Sequence, residues 1–346
     1  MKKVILILIA ILLVTGIGGY LYYDNWYNSA LNYTLGDSNK TAEFTVDKGE
    51  SPDSVGKRLE ELGLIKEDLA FKWYLRQEGK TGEIQAGTFQ IPENSTMEDI
   101  VAILGNAQNL SVTRVTIVEG HKLAQIKSTL SGAFSDKAGA VFSESEFDSM
   151  TKSPDSYTFK GNIQGFLDTY KPAGKSLEGF LYPDTYEFEN TATTQQVIEK
   201  LIQQFINKVD GLEKGTDFYD KLILASIVER ESFTNEEKDE IASVFANRLE
   251  INMALESDAT VNYATGKSNP RPTYQDLEID SLYNTYKYPG LPPGPICSPR
   301  IEAIEAAINP ADTNYYYFIH EQDGSGQVHF ASTLSEHNAN VSKYLD

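Results

Sequence analysis

The apolar and polar positions of this chain fall into stretches with different periods. Val4 to Tyr23, within MKKVILILIAILLVTGIGGYLYYDNWYN, is apolar and carries no charge. As a helix at about 1.5 Å per residue it reaches roughly 30 Å, the thickness of a hydrocarbon core. Residues 25–40 are polar and weakly patterned and read as a short tether. AEFTV (42–46) predicts a strand, and Ser51-Pro52 opens a helix with Val55, Leu59 and Leu62 at helical spacing before Gly63. A second helix is predicted over Glu67 to Gln77 and a strand over AGTFQIP (86–92). Ser95 is expected to cap a third helix that carries Met97, Ile100, Val101 and Leu104 on one face. The order β-α-α-β-α, ending near Gly105, defines a small α+β module at 41–107.

A larger mixed α+β region, 108–346, follows. SVTRVTIVEG, from about Leu110, alternates as a strand and ends in a turn. Ser131 to Gln164 is rich in Ser, Asp and Gly and reads as an exposed insertion or a segment ordered by packing. LEGFLYPDTYEF (177–188) restores an aromatic alternation interrupted by Pro183-Asp184. Helices are expected at Thr194 to Lys208, Asp217 to Ser232, 240–249 (EIASVFANRL) and Pro299 to Ile308, the last capped by Ser298. NMALESDATVNYATG reads as a turn and short extended segment, and SLYNTYKYPGLPPGPICSP (281–299) as a stiff aromatic loop. Near the C-terminus a hairpin turns at Asp323-Gly324.

The helix ending in ASIVERES carries two acids, Glu229 and Glu231. With Leu222 at zero and about 100° per residue, Glu231 falls near 180°, within the sector of Ile227, Leu224 and Val228, and Glu229 falls near 340°. Glu231 is therefore the carboxyl expected to be desolvated. Burial penalises the charged form, so its pKa rises and it can hold a proton near neutral pH, as a general acid must. A buried glutamate tied to an arginine or to backbone amides is the alternative.

Composition narrows the chemistry. The chain has 50 acidic and 30 basic residues, a net charge of -20, which argues against nucleic acid or anionic lipid as the main partner. Lys2 and Lys3 precede the apolar run, and the next basic residue is Lys40, a bias that places the N-terminus in the cytoplasm and the rest outside. A cleaved signal peptide, with Gly16 and Gly18 as a small-residue site, competes with this reading, but the apolar run exceeds the length of a signal core. Cys297 is the single cysteine, so no internal disulfide forms. His121, His320, His329 and His337 show no metal-ligand spacing.

ASIVERES, IASVFANRL, MALESDATV, LYNTY, GLPPGPI with SP, and the terminal HFASTLSEHN together resemble the YceG-like family, the endolytic murein transglycosylases. The 41–107 module, with its TVDKGES opening, resembles the LysM-like domain, whose true members bind N-acetylglucosamine polymers. The family resemblance implies a protein anchored by residues 1–24 that cleaves nascent peptidoglycan strands at the β-1,4 bond between N-acetylmuramic acid and N-acetylglucosamine. The product carries a 1,6-anhydro-muramyl end. Peptidoglycan synthases of the elongation machinery are the implied partners, and no metal, nucleotide or other cofactor is required.

The family's essential glutamate, immediately before a Ser or Thr, falls on Glu231, followed by Ser232. It would protonate the leaving oxygen and then accept the proton of the sugar's own C6 hydroxyl. Asp258 and Thr260 in SDAT, and Tyr283, Asn284 and Tyr286 in LYNTY, match family motifs and would position the sugar, or serve as turn residues and buried hydrogen-bond partners. Glu178 is a possible further acid. A wall-binding scaffold without activity, or a muramidase hydrolysing the same bond, are the other readings.

Overall fold

The computed structural model describes residues 2–36, 40–106, 112–137, 140–269 and 271–345. The chain is mixed α+β and divides into two compact units: Met1–Thr113 with 136–140 and 188–191, and 114–135, 141–187 and 192–346. The expected boundary at 107/108 lies outside the described residues.

The first unit runs α1 (Lys2–Leu31), β1 (Thr41–Val46), α2 (Pro52–Glu61), α3 (Asp68–Gln77), β2 (Gly87–Pro92), α4 (Met97–Leu104). β1 and β2 are antiparallel with Phe44 opposite Phe89. Both rings are buried in a core with Val55, Leu59, Phe71, Leu75, Ile100 and Leu104. Ser51 caps α2 through the Ser54 N–H, and Gly63, at φ +73°, adopts the left-handed conformation beyond its end. The cap of α4 is Thr96 rather than Ser95. Thr96 and Asp99 exchange side-chain and backbone hydrogen bonds as a capping box, whereas Ser95 is buried.

α1 corrects the tether. Residues 25–31 continue the helix and dock: Ala30 is buried, Trp26, Tyr27 and Leu31 pack on the core, and the Trp26 indole donates to Glu67 at 2.7 Å. Trp26 and Tyr27 therefore serve as packing residues of this unit. Leu8–Leu31 is long and apolar enough to cross a membrane, and its Leu8, Leu12, Val14, Ile17 and Leu21 side chains are exposed.

β3 (Val112–Thr116) pairs with β4 (Thr185–Glu189). Between them lie α5 (Leu123–Phe134), α6 (Glu144–Lys152), a 3-10 turn (Pro154–Ser156) and α7 (Asn162–Tyr170). The expected insertion is thus largely helical, although residues 138 and 139 lie outside the described ones. Phe147 and Met150 of α6 are fully buried, and α6 packs on α5 and on α8 (Thr194–Val209).

Then come α9 (Phe218–Glu231), α10 (Lys238–Glu250), α11 (Asp258–Thr265), α12 (Tyr274–Leu277), α13 (Ile301–Ile308), the antiparallel β5 (Tyr317–His320) and β6 (Val328–Ala331), and α14 (Leu334–Tyr344). α9 is the central helix, packed against α13 and α10 with every residue from Leu222 to Glu229 buried. Two local expectations change. The SDATVNYAT stretch forms a helix, ended by Gly266 at φ +72°, and α13 starts after Arg300, so Ser298 does not cap it.

Candidate active site

The two acids of α9 meet opposite environments. Because the middle of α9, from Leu222 to Glu229, is buried on all sides, Glu229 is itself in the interior, where it is neutralised. Its Oε2 accepts from Lys238 Nζ at 2.9 Å, with both side chains 3% exposed, and from the Arg300 N–H at 3.2 Å. The wheel thus ranks the two acids for a reason that the fold does not use: what separates them is a cation, not depth.

Glu231 sits at the last residue of α9, where the residue as a whole is half-buried and its carboxyl faces inward. No lysine or arginine pairs with it among the described residues. Ser257 donates its hydroxyl to Oε1 at 2.5 Å, and the Ala259 N–H adds a second donor. Desolvation dominates and raises the carboxyl's pKa. Ser257 opposes it, the neighbouring Asp258 charge adds to it, and Ala259 and Arg230 oppose it. A carboxyl whose protonated form burial favours, yet which has donors ready for its ionised form, can both give and take a proton.

The segment that presents Ser257 is built with care. Asn252 and Glu256 adopt positive φ, and Arg248 of α10 holds the turn by donating to Leu255 O at 2.9 Å and Tyr316 O at 2.6 Å. The Ser257 N–H donates to Thr285 Oγ1 at 3.0 Å. Thr260 Oγ1 lies 2.8 Å from the same Thr285 hydroxyl and donates to Ser257 O at 2.7 Å. The sequence pattern alone does not single out Ser257 or the Ala259 amide. The only signal was a hydroxyl just ahead of SDAT's acid.

The other expected site residues divide. Asp258 accepts from the Tyr286 hydroxyl at 2.7 Å, and Tyr286 is partly exposed beside Glu231, whose charge raises its pKa after desolvation and Asp258 have done so. Thr260 is fully buried in the hydroxyl cluster under Ser257. Asn284, also fully buried, spends its amide on Leu277 O at 2.8 Å and Ile279 O at 3.0 Å, and its Oδ1 accepts the Tyr286 N–H. Ser232 donates its hydroxyl to Val228 O, closing the end of α9. Thr260, Asn284 and Ser232 thus hold the backbone around the acid.

Glu178 and Tyr283 gather at the other end of α11. Glu178 is 3% exposed and accepts the Leu123 N–H at 3.0 Å and the Tyr263 hydroxyl at 3.1 Å. Burial pushes its pKa up to about 7, against those two donors and the Lys122 charge. Tyr263 and Tyr283 pack with ring centroids 4.7 Å apart. Beside them opens a cavity of about 570 Å³ whose walls include Lys122, Lys152, Lys175 and Tyr219.

The sequence profile of the YceG-like family matches residues 44–343. An endolytic murein transglycosylase of Bacillus subtilis is 33% identical over 95% of this chain and 91% of its own length. One from Streptococcus pneumoniae is 28% identical over the whole chain, which spans 66% of that protein. A crystal structure of a yceG-like protein from Listeria monocytogenes superposes with a TM-score of 0.55 at 28% identity, over 87% of this chain and 99% of that one. With the profile matched over most of its length and a relative 33% identical across nearly all of it, the chain belongs to the YceG-like family.

Proposed function

We propose that this protein is a membrane-anchored lytic transglycosylase that cuts peptidoglycan strands within their length. The cut falls at the bond from N-acetylmuramic acid to N-acetylglucosamine, with Glu231 as the acid and then the base. The observation that carries this reading is the uncompensated carboxyl of Glu231, held by Ser257 and the Ala259 amide. Protonated, it gives its proton to the leaving glycosidic oxygen. Ionised, it is received by the two donors and takes the proton of the C6 hydroxyl as that oxygen closes on C1. Attack from within the same sugar benefits from the high effective molarity of a positioned group, so a second carboxylate nucleophile is unnecessary. The names of the relatives support the substrate and the reaction class.

α1 is the proposed anchor, supported by its length, its exposed apolar surface and the lysines ahead of it. The β-α-α-β order of the first unit supports a LysM-like reading, with glycan contact as its role.

The test is digestion of uncrosslinked glycan strands by the wild-type protein and by Glu231→Gln, with the products weighed by mass spectrometry. Anhydro ends from the wild type alone are expected. Reducing ends would instead identify a hydrolase, and an undiminished Glu231→Gln would remove this residue from the mechanism.

A further inference from the structure

α11 joins the two carboxyl sites. Ser257 and Ala259, at its start, hold Glu231, and Tyr263, near its end, holds Glu178. Four to six residues at about 1.5 Å each set these contacts roughly 6 to 9 Å apart along the helix. The 281–286 loop spans the same distance, with Tyr286 on Asp258 and Tyr283 on Tyr263. The cavity at Glu178 and the groups that hold the acid are therefore linked by one helix and one loop.

Its lining is unusual for this chain. On a protein of net charge -20, three lysines face one cavity, and Glu178 is the one carboxylate residue in its wall. Lys175 donates to Pro293 O at 2.8 Å, which leaves donors of its ammonium unspent. Lys152 lies 3.2 Å from Asp148, and Lys122 has no carboxylate within ion-pair distance among the described residues. The wall also carries Tyr219, Tyr263 and Tyr283. It is closed tightly at Gly294, where a Cβ would come within 3.0 Å of the Tyr219 hydroxyl and 3.1 Å of that of Tyr283. Cationic donors together with aromatic surface and hydroxyls suit a ligand that carries carboxylates on an otherwise neutral, hydrogen-bonding body.

We propose that this cavity binds the carboxylate-bearing peptide branch of the muramyl residue, so that the enzyme registers peptide-substituted glycan at a subsite next to Glu231. The proposal rests on the function given above and adds the substrate class of a second site. A sugar seated at the acid would extend its lactyl-peptide arm along α11, and Lys122, Lys152 and Lys175 would receive its carboxylates.

The test uses the full-length chain bearing Glu231→Gln, so that strands bind without being cut, and two probes: uncrosslinked glycan strands carrying their stem peptides, and the same strands stripped of peptides by an amidase. A charge-assisted contact of ordinary strength predicts at least about tenfold tighter binding of the peptide-bearing strands. That preference should shrink as salt rises from about 50 to about 200 mM. Lys122→Gln added to this background should reduce the preference to about twofold, and Lys122→Arg should retain it. Equal affinity for both strands, binding of neither, or a preference that Lys122→Gln and Lys175→Gln leave untouched would overturn the subsite. Cleavage by the wild type is measured separately on both strands, so a failure of the transglycosylase reading shows as absent anhydro ends whatever the binding ratio.

Discussion

The buried middle of α9 and its C-terminal end hold the same side chain under opposite terms. Glu229 is sealed in with Lys238 and serves the fold. Glu231, two residues later, accepts from a hydroxyl and an amide and forms no ion pair among the described residues. Depth alone does not make a carboxyl reactive, because a paired buried charge is fixed in one state. The absence of a partner leaves a carboxyl free to change state.

The largest break in this comparison should come from Glu231→Gln. Losing a general acid costs about 10² to 10⁴ in rate, so strand cleavage, followed by mass spectrometry, should fall by at least about a hundredfold. Melting should hardly change, since the amide leaves no buried charge. Glu229→Gln should do the reverse. It strands the Lys238 ammonium in the interior, at a cost of about 3–5 kcal/mol. Calorimetry should show a Tm lower by roughly 10 °C, with cleavage retained by the folded fraction. Adding Lys238→Met should restore much of that loss, because an apolar replacement of a buried pair is often neutral.

Glu178 tests the same logic through pH. Its folded pKa of about 7 lies above the ordinary 4.5 of a glutamate. The folded state therefore binds an extra proton between those values, so this group's contribution to stability falls as pH rises through the window and stays reduced above it. Glu178→Gln should be more stable than wild type above pH 7, on the order of 3 kcal/mol, with the difference vanishing below about pH 4.5. Urea titrations at pH 4 and pH 8 would read it. The smallest effect is expected from Ser257→Ala. Removing a donor that favours ionised Glu231 raises its pKa further, so the alkaline limb of kcat/KM should move to higher pH.

Much of the first unit could be read from periodicity, because its helices carry regular apolar stripes over a two-stranded sheet. Where the reading departed from the structure, the deciding contact lies far away in sequence. α11 follows a short polar stretch that looks like a turn, and its helical start is held by Thr285 from another loop. α6 shows few apolar residues among Ser, Glu and Asp, yet Phe147 and Met150 find a core between α5 and α8. Glu229 gives no sign in its own helix that Lys238, from the next one, neutralises it. Glu231 is marked by the motif as well as by its place on the helical wheel. Its donors, Ser257 and Ala259, depend on a turn at positive φ that spacing alone does not reveal.

α1 carries a mechanical consequence. It has no break between its apolar length and the face that docks through Trp26, Tyr27 and Ala30. Orientation and height are consequently coupled, as in a threaded shaft. One residue inserted near Tyr23 would lift the docked face by about 1.5 Å and swing it by about 100°, while seven would nearly restore its bearing. Wherever the apolar end is held, the first unit has a compass heading as well as an altitude.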